Sequence, residues 1–295
     1  MSKTKLLEPT NDVVFQALFG EIGSERITKK LLENILDEKI ESVDLSQNPI
    51  LRRQTKEDKM GILDVIAKIN DGEYVDIEMQ MSEHPAIIER MLFYWARKFA
   101  HQMKKTNDYT TLKRTIVVLI ANFNVSKIKN MQYHTKWKII EEKQRKNILT
   151  NKLEFHIIQL RKIKENENMD NELIDWLTFI KNPNSERTVY KMAENKELKE
   201  AHEKLETMSE DEKMQRFAEW RQDAIYLENT WKAIEKERGI ELGEKRGREL
   251  GEKIGEDREK IKIAKKLLKI GIKIEDVAES TGLKIDEVKK LINEK

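Results

Sequence analysis

Not one cysteine occurs in this 295-residue chain, so disulfides and thiolate metal sites are excluded and a reducing cytoplasm is the expected setting. No stretch approaches the ~20 apolar residues that a membrane-spanning helix needs. The opening MSKTKLLEPTND lacks the apolar core of a signal peptide, and no export is expected. An excess of one charge is missing too: charged residues make up 37% of the chain, yet the net charge is only +2. A surface for a polyanion therefore has to come from local segregation of charge. The five histidines (His84, His101, His134, His156 and His202) are scattered and form no metal-spaced pair. There is no Gly-rich phosphate loop after a strand, no Gly-x-Ser-x-Gly and no serine–histidine arrangement that suggests other hydrolase chemistry.

What is present divides into three parts. Residues 1–165 read as α/β. Thr10 or Asn11 can cap a short helix with Val14, Ala17 and Leu18 on one face, ended by Gly20. Ser24 caps a second helix whose Ile27, Leu31 and Ile35 form one stripe. Strands are expected over 59–69 and 74–80, around the turn signal Asn70-Asp71-Gly72. A long helix, 86–105, follows Pro85, and TIVVLIANF (115–123) suits a central strand covered on both faces. Two weaker strands, near 132–140 and 153–160, extend the sheet. The tryptophans at 95, 137, 176, 220 and 231 read as core or interface anchors.

Residues 166–257 form a charged helical extension with little to build its own core. Within it, Gly239, Gly243, Gly247, Gly251 and Gly255 repeat with period four. Each costs a helix ~1 kcal/mol against alanine. A solvated linker and a close helix–helix contact through the small-residue stripe are both open readings. Residues 258–295 have the spacing of three small packed helices, in a pattern that resembles a helix-turn-helix. Lys284, Lys289 and Lys290 could meet phosphates, but Asp286, Glu287 and Glu294 oppose them, and protein packing explains the module equally well.

The hairpin can be tested for register. A three-residue Asn70-Asp71-Gly72 loop pairs Ile69 with Glu73, Ala67 with Val75, Val65 with Ile77 and Leu63 with Met79. One face is then wholly apolar, and on the other Asp64 lies opposite Glu78, beside Asp76 and Gln80. A two-residue turn would put Glu78 and Val65 on one face, against the hydrophobic pattern. Opposed β-residues lie roughly 4.5–5.5 Å apart, so two carboxylates there repel unless a cation joins them. A hard divalent ion such as Mg²⁺ fits oxygen ligands of this kind. The competing reading is a solvent-facing polar strand face, with Lys56, Lys59 or Lys68 neutralising the acids.

The run GILDVIAKINDGEYVDIEMQ, an Asp, a hairpin and then Glu-x-Gln, resembles the PD-(D/E)xK nuclease superfamily, and more closely its recombination-promoting nuclease and transposase family. The likeness extends to LEPTNDVVFQALFG, to ERMLFYWARKFAHQMKKTNDYTTLKRTIVVLIANF and to the terminal IAKKLLKIGIKIEDVAESTGL. The resemblance implies a restriction-endonuclease-like α/β fold, a mixed sheet flanked by helices, with an all-helical C-terminal extension. It further implies a Mg²⁺-dependent DNA endonuclease, with Mn²⁺ able to substitute, that hydrolyses phosphodiester bonds in recombination or mobile-element DNA processing. Asp64 and Glu78 would bind the metal, and Gln80 would stand where the family's lysine stands. Glutamine carries no charge and is no general base near neutral pH, though it can hold a water by hydrogen bonds. A catalytically inactive DNA-binding or assembly protein that keeps the nuclease fold is therefore the alternative.

Supporting residues are Arg90 and Tyr94, at i and i+4 on the helix after the hairpin, as phosphate contacts. A buried Tyr94 beside an Arg90 paired with Glu89 or Asp76 is the structural alternative. Asp12 is a candidate accessory acid, or a charge favoured by a helix N-terminus. Cleavage of both DNA strands needs two active sites, so a homodimer through the C-terminal helices is expected.

Overall fold

The computed structural model describes residues 5–46, 48, 64–103, 108–164 and 170–293. The apolar run from Thr115 becomes β4 (Thr115–Ala121), every residue of which is buried. It lies inside one sheet built with β1 (Val43–Asp44), β2 (Val65–Ile69), β3 (Glu73–Gln80), β5 (His134–Ile140) and β6 (Ile148–Gln159). The strand order is β1-β2-β3-β4-β6-β5. β3, β4 and β6 run parallel, and the remaining neighbours are antiparallel. Parallel neighbours need a crossover. Between β3 and β4 it is α3 (Ile87–His101).

The expected hairpin register is observed: Ile69 pairs with Glu73, Ala67 with Val75 and Val65 with Ile77. Gly72 takes φ 94°, the left-handed region that a glycine allows at least cost, and Asn70 takes φ 47°. Asn70 is held there by its Oδ1, which accepts from the Glu41 backbone N–H at 2.7 Å. Of the strand expected over 59–69, residues 59–63, with the Leu63–Met79 pair, lie outside the described residues.

Alternation then assigns the two sheet faces. Val75, Ile77 and Met79 enter a core with Ile116, Val118 and Ile120 of β4. Over that face pack α1 (Asp12–Phe19), α2 (Glu25–Leu36), α4 (Glu172–Lys181) and α6 (Lys196–Glu210), with α5 (Glu186–Lys191) beside α4. On the other face Val117, Leu119, Phe155 and Ile157 meet Ile87 and Met91 of α3. Asn11 is the cap of α1, accepting from Val13 N–H at 3.1 Å, and its amide also donates to the Ala218 carbonyl at 3.0 Å. Ser24 precedes α2 without a side-chain cap; its hydroxyl is held by Lys204 instead.

The chain divides between Leu227 and Glu228, not near residue 165. Helices α4 and α6 and the first turns of α7 (Glu212–Lys269) belong to the sheet's own core, through Trp176, Phe179, Leu198, Leu205 and Met208, then Met214 and Phe217. The charged composition conceals this, because Leu198, Ala201, Leu205 and Met208 recur at helical spacing on one buried stripe of an otherwise polar helix. In the second unit, α8 (Ile274–Thr281) and α9 (Ile285–Asn293) join the end of α7 around Ala264, Val277, Ala278 and Val288. A side chain added at any of the five period-four glycines would meet nothing within 4 Å.

Leu205→Ala tests the revised boundary. Truncating a buried leucine costs about 2–5 kcal/mol, so urea denaturation followed at the sheet unit should shift by that amount. A shift below ~0.5 kcal/mol, the size typical of surface changes, would place α6 outside the core.

Candidate active site

Opposite the apolar face of the hairpin, β3 carries Asp76, Glu78 and Gln80. Asp64 immediately precedes β2, and continuing the register from Val65–Ile77 sets it across from Glu78. These acids do not form the solvated strand face of the competing reading: Asp76 is 3% exposed and Glu78 0%. Their neighbours on β4 are Val117 and Leu119, and α3 crosses the same face. Apolar walls thus surround a floor of carboxylates.

Arg90 and Tyr94 are brought to this floor. The Arg90 guanidinium lies 4.0 Å from Glu78 Oε2, and its carbon 5.7 Å from the centre of the Tyr94 ring. Glu89 pairs instead with Lys127 at 2.9 Å. Gln80 is half-buried beside Glu78 at the end of β3. Lys68 lies over the Tyr74 ring, 5.3 Å from its centre, while Lys56 and Lys59 fall outside the described residues. Asp12 is not among the charges that act most on the three acids. Its carboxylate accepts from Arg221 Nε at 2.8 Å to each oxygen.

The electrostatics of the cluster are those of confined like charges. Asp64 is pushed well above the ordinary carboxylate range by burial, then by the charges of Asp76 and Glu78; Arg90 and Lys98 pull it back. Glu78 is raised by burial and by Asp76, against Arg90. Asp76 is raised by burial, with Lys98 opposing. Both Glu78 carboxylate oxygens and Asp76 Oδ1 are buried without a hydrogen-bond partner. A buried acceptor left unmade costs ~1–3 kcal/mol, and more when charged.

That deficit suits a divalent cation. Oxygen donors without sulfur or imidazole select Mg²⁺, Ca²⁺ or Mn²⁺. Among the described residues no group of three or more His, Cys, Asp or Glu is placed to hold a metal ion between them. Mg²⁺ does not require one, since it commonly binds through one or two carboxylates and keeps several waters.

Two contributors escaped the sequence reading. Asp76 stood beside the pair without a role, and Lys98 was not singled out, although 90, 94 and 98 share a helix face at i, i+4 and i+8. A second buried polar cluster, on the other sheet face, was also missed. There His156 Nε2 lies 2.7 Å from Glu154 Oε1, and His134 Nε2 lies 2.8 Å from His156 Nδ1. Arg114, Lys136 and Lys138 complete it, at 3.0, 2.9 and 3.2 Å from Glu154. Burial alone would raise Glu154, but the hydrogen bonds of His156 and Lys136 and the nearby cations hold it well below the carboxylate range. Burial lowers both imidazoles, against the pull of Glu154 on His156. The partners were unreadable because they depend on the long-range β5–β6 register.

A mixed sheet flanked by helices is the architecture of the PD-(D/E)XK α/β class. The family model described as PD-(D/E)XK nuclease family transposase matches residues 9–233, and the chain belongs to that family. No curated protein and no solved structure matches it.

Glu78→Gln tests the charge balance of the floor. It removes one like charge and keeps the shape, so in EDTA near neutral pH the variant should melt a few degrees higher than the natural protein. Mn²⁺ is expected to raise the melting temperature of the natural protein, and the variant should lose most of that rise. A lower melting point in EDTA together with an undiminished Mn²⁺ response would remove Glu78 from the metal site.

Proposed function

We propose that this protein is a Mg²⁺-dependent DNA endonuclease, with Mn²⁺ able to substitute, that hydrolyses phosphodiester bonds in recombination or mobile-element DNA processing. The observation that carries this reading is the floor of buried Asp76 and Glu78, with unsatisfied carboxylate oxygens, beside half-buried Asp64 and with Arg90 against Glu78. Membership of a nuclease-transposase family supports the same chemistry and supports DNA as the substrate. Asp64 and Glu78 would hold the ion, which when bound supplies Lewis-acid stabilisation of a phosphodiester and lowers the pKa of water.

The remaining roles belong to the chain. Arg90, with its guanidinium partly exposed, holds a phosphate, and Tyr94 donates to a second one. Gln80 orients the attacking water through its amide, as donor and acceptor. The water oxygen bonds to phosphorus and one phosphorus–oxygen ester bond breaks. One water proton is transferred to the leaving oxygen and the other to solvent, giving a hydroxyl end and a phosphomonoester end. Where Gln80 leaves the site too weak for turnover, the second reading applies: a DNA-binding or assembly protein that keeps the fold.

Plasmid cleavage decides between them. The natural protein should nick or cut in Mg²⁺ and Mn²⁺, stop in EDTA, and lose at least ~100-fold of its activity as Asp64→Ala, the scale at which essential site groups act. DNA binding without cleavage in any metal would establish the second reading. Equal cleavage by both proteins would remove Asp64 from the site.

The protein acts as a homodimer through its C-terminal helices, which brings two active sites to one duplex. The proposal sets the protein to work in the reducing cytoplasm, which suits a chain without cysteine; among the described residues no helix is long and apolar enough to cross a membrane. Light scattering should give twice the chain mass of 34.9 kDa at micromolar concentration. A monodisperse monomer, alone and on DNA, would overturn the dimer.

A further inference from the structure

The sheet-facing stripe of α3 reads Ile87, Met91, Tyr94, Trp95 and Lys98, with Gln102 just beyond the helix. Two of its members fix where the later half of the helix lies. Trp95 Nε1 donates to the Thr115 carbonyl at 3.0 Å, and Gln102 Nε2 donates to Thr115 Oγ1 at 2.8 Å. Thr115 is the register partner of Tyr74, and Val117 that of Asp76. This half of α3 therefore lies over the part of β3 that carries Asp76, and Lys98 sits between its two anchors.

A lysine on a sheet-facing stripe is unusual, because such side chains are almost never fully buried without a partner. Lys98 is half-buried, and the charges it acts on are Asp76 and Asp64. Two turns earlier, Arg90 acts on Glu78 at 4.0 Å. Helix and strand thus run in opposite senses, with Arg90 against Glu78 and the turn that carries Lys98 over the Asp76 end of β3. The site has two cations along one edge, while position 80 holds a neutral glutamine. Asp76 Oδ1 accepts no hydrogen bond, so this oxygen does not take up the donors of Lys98.

We propose that Lys98 is the cation this site uses in place of one at position 80: carried over the floor between the Trp95 and Gln102 anchors of its helix, its ammonium donates to a non-bridging oxygen of the DNA phosphate seated beside Arg90. This rests on the nuclease reading. An ammonium offers three donors, so Lys98 can face the carboxylates and a phosphate together. Its action on the phosphate is direct, and it stabilises the negative charge that grows there during hydrolysis.

The test separates Lys98 from the nuclease reading by using binding as well as cleavage. Duplex affinity is measured by fluorescence anisotropy across a salt series, in Ca²⁺, for the natural protein and Lys98→Gln. The log–log salt slope should fall by about one, as for loss of one phosphate contact. Single-turnover cleavage in Mg²⁺ should fall at least ~100-fold, the loss expected on removing a donor to developing charge. The Mn²⁺-induced rise in melting temperature should persist, and adding Gln80→Lys should recover cleavage. Should Lys98→Gln fail to fold, Lys98→Gln/Asp76→Asn removes one charge of each sign, leaves the net charge unchanged, and should still show the reduced slope. An unchanged slope in either variant, or cleavage by Lys98→Gln within twofold of the natural protein, would overturn the proposal. No cleavage by the natural protein in any metal would overturn the nuclease reading, and the salt slope would still decide whether Lys98 touches phosphate.

Discussion

Like charges held away from water repel with little screening, and this sheet confines three of them. Asp64, Asp76 and Glu78 share one face of a hairpin whose other face is needed for the core, so the strands cannot turn the acids outward without exposing Val75, Ile77 and Met79. The conflict is not relieved by hydrogen bonds, since both oxygens of Glu78 lack them. It is eased by Arg90 and Lys98, which α3 lowers toward the acids from above. A fold that keeps such a floor has traded stability for a standing demand for positive charge.

Each surrounding element answers to that floor. The hairpin sets the acids opposite one another, and parallel pairing with β4 lays an apolar strip beside them. The crossover that parallel pairing requires is the helix that brings the cations. Trp95 and Gln102 both close on Thr115, which fixes how far along the sheet that helix can slide. Helices α1, α2, α4 and α6 take no part in the site directly; they cover the opposite face and make the strands rigid.

Much of this was legible in the residues, and the reasons are specific. The turn and the alternation of Val65, Ala67, Ile69, Val75, Ile77 and Met79 define the register, because only one loop length puts all six on one side. The continuous run from Thr115 announced a strand covered on both faces. The extent of the first unit was not legible, since the buried stripe of α6 is diluted among lysines and glutamates and its partners lie far off in sequence. Local pattern also could not show that Asp76 and Glu78 are buried, which depends on α3 covering them. Lys98 looked like an ordinary helix lysine for the same reason, and the contact between the His134 and His156 rings depends on a β5–β6 register that local pattern does not give.

The loop from Asn70 to Gly72 carries a consequence for descent. Many residue changes in and around the hairpin leave the two faces as they are. A change in loop length does not, because side chains alternate with period two and a slip by one residue exchanges the faces. Loss of the Asn70 or Gly72 codon would keep the net charge and every carboxylate in the gene, yet direct the acids into the apolar core and the valines and isoleucines toward Arg90. Among descendants of this sequence, that short loop should tolerate misspelling far better than miscounting.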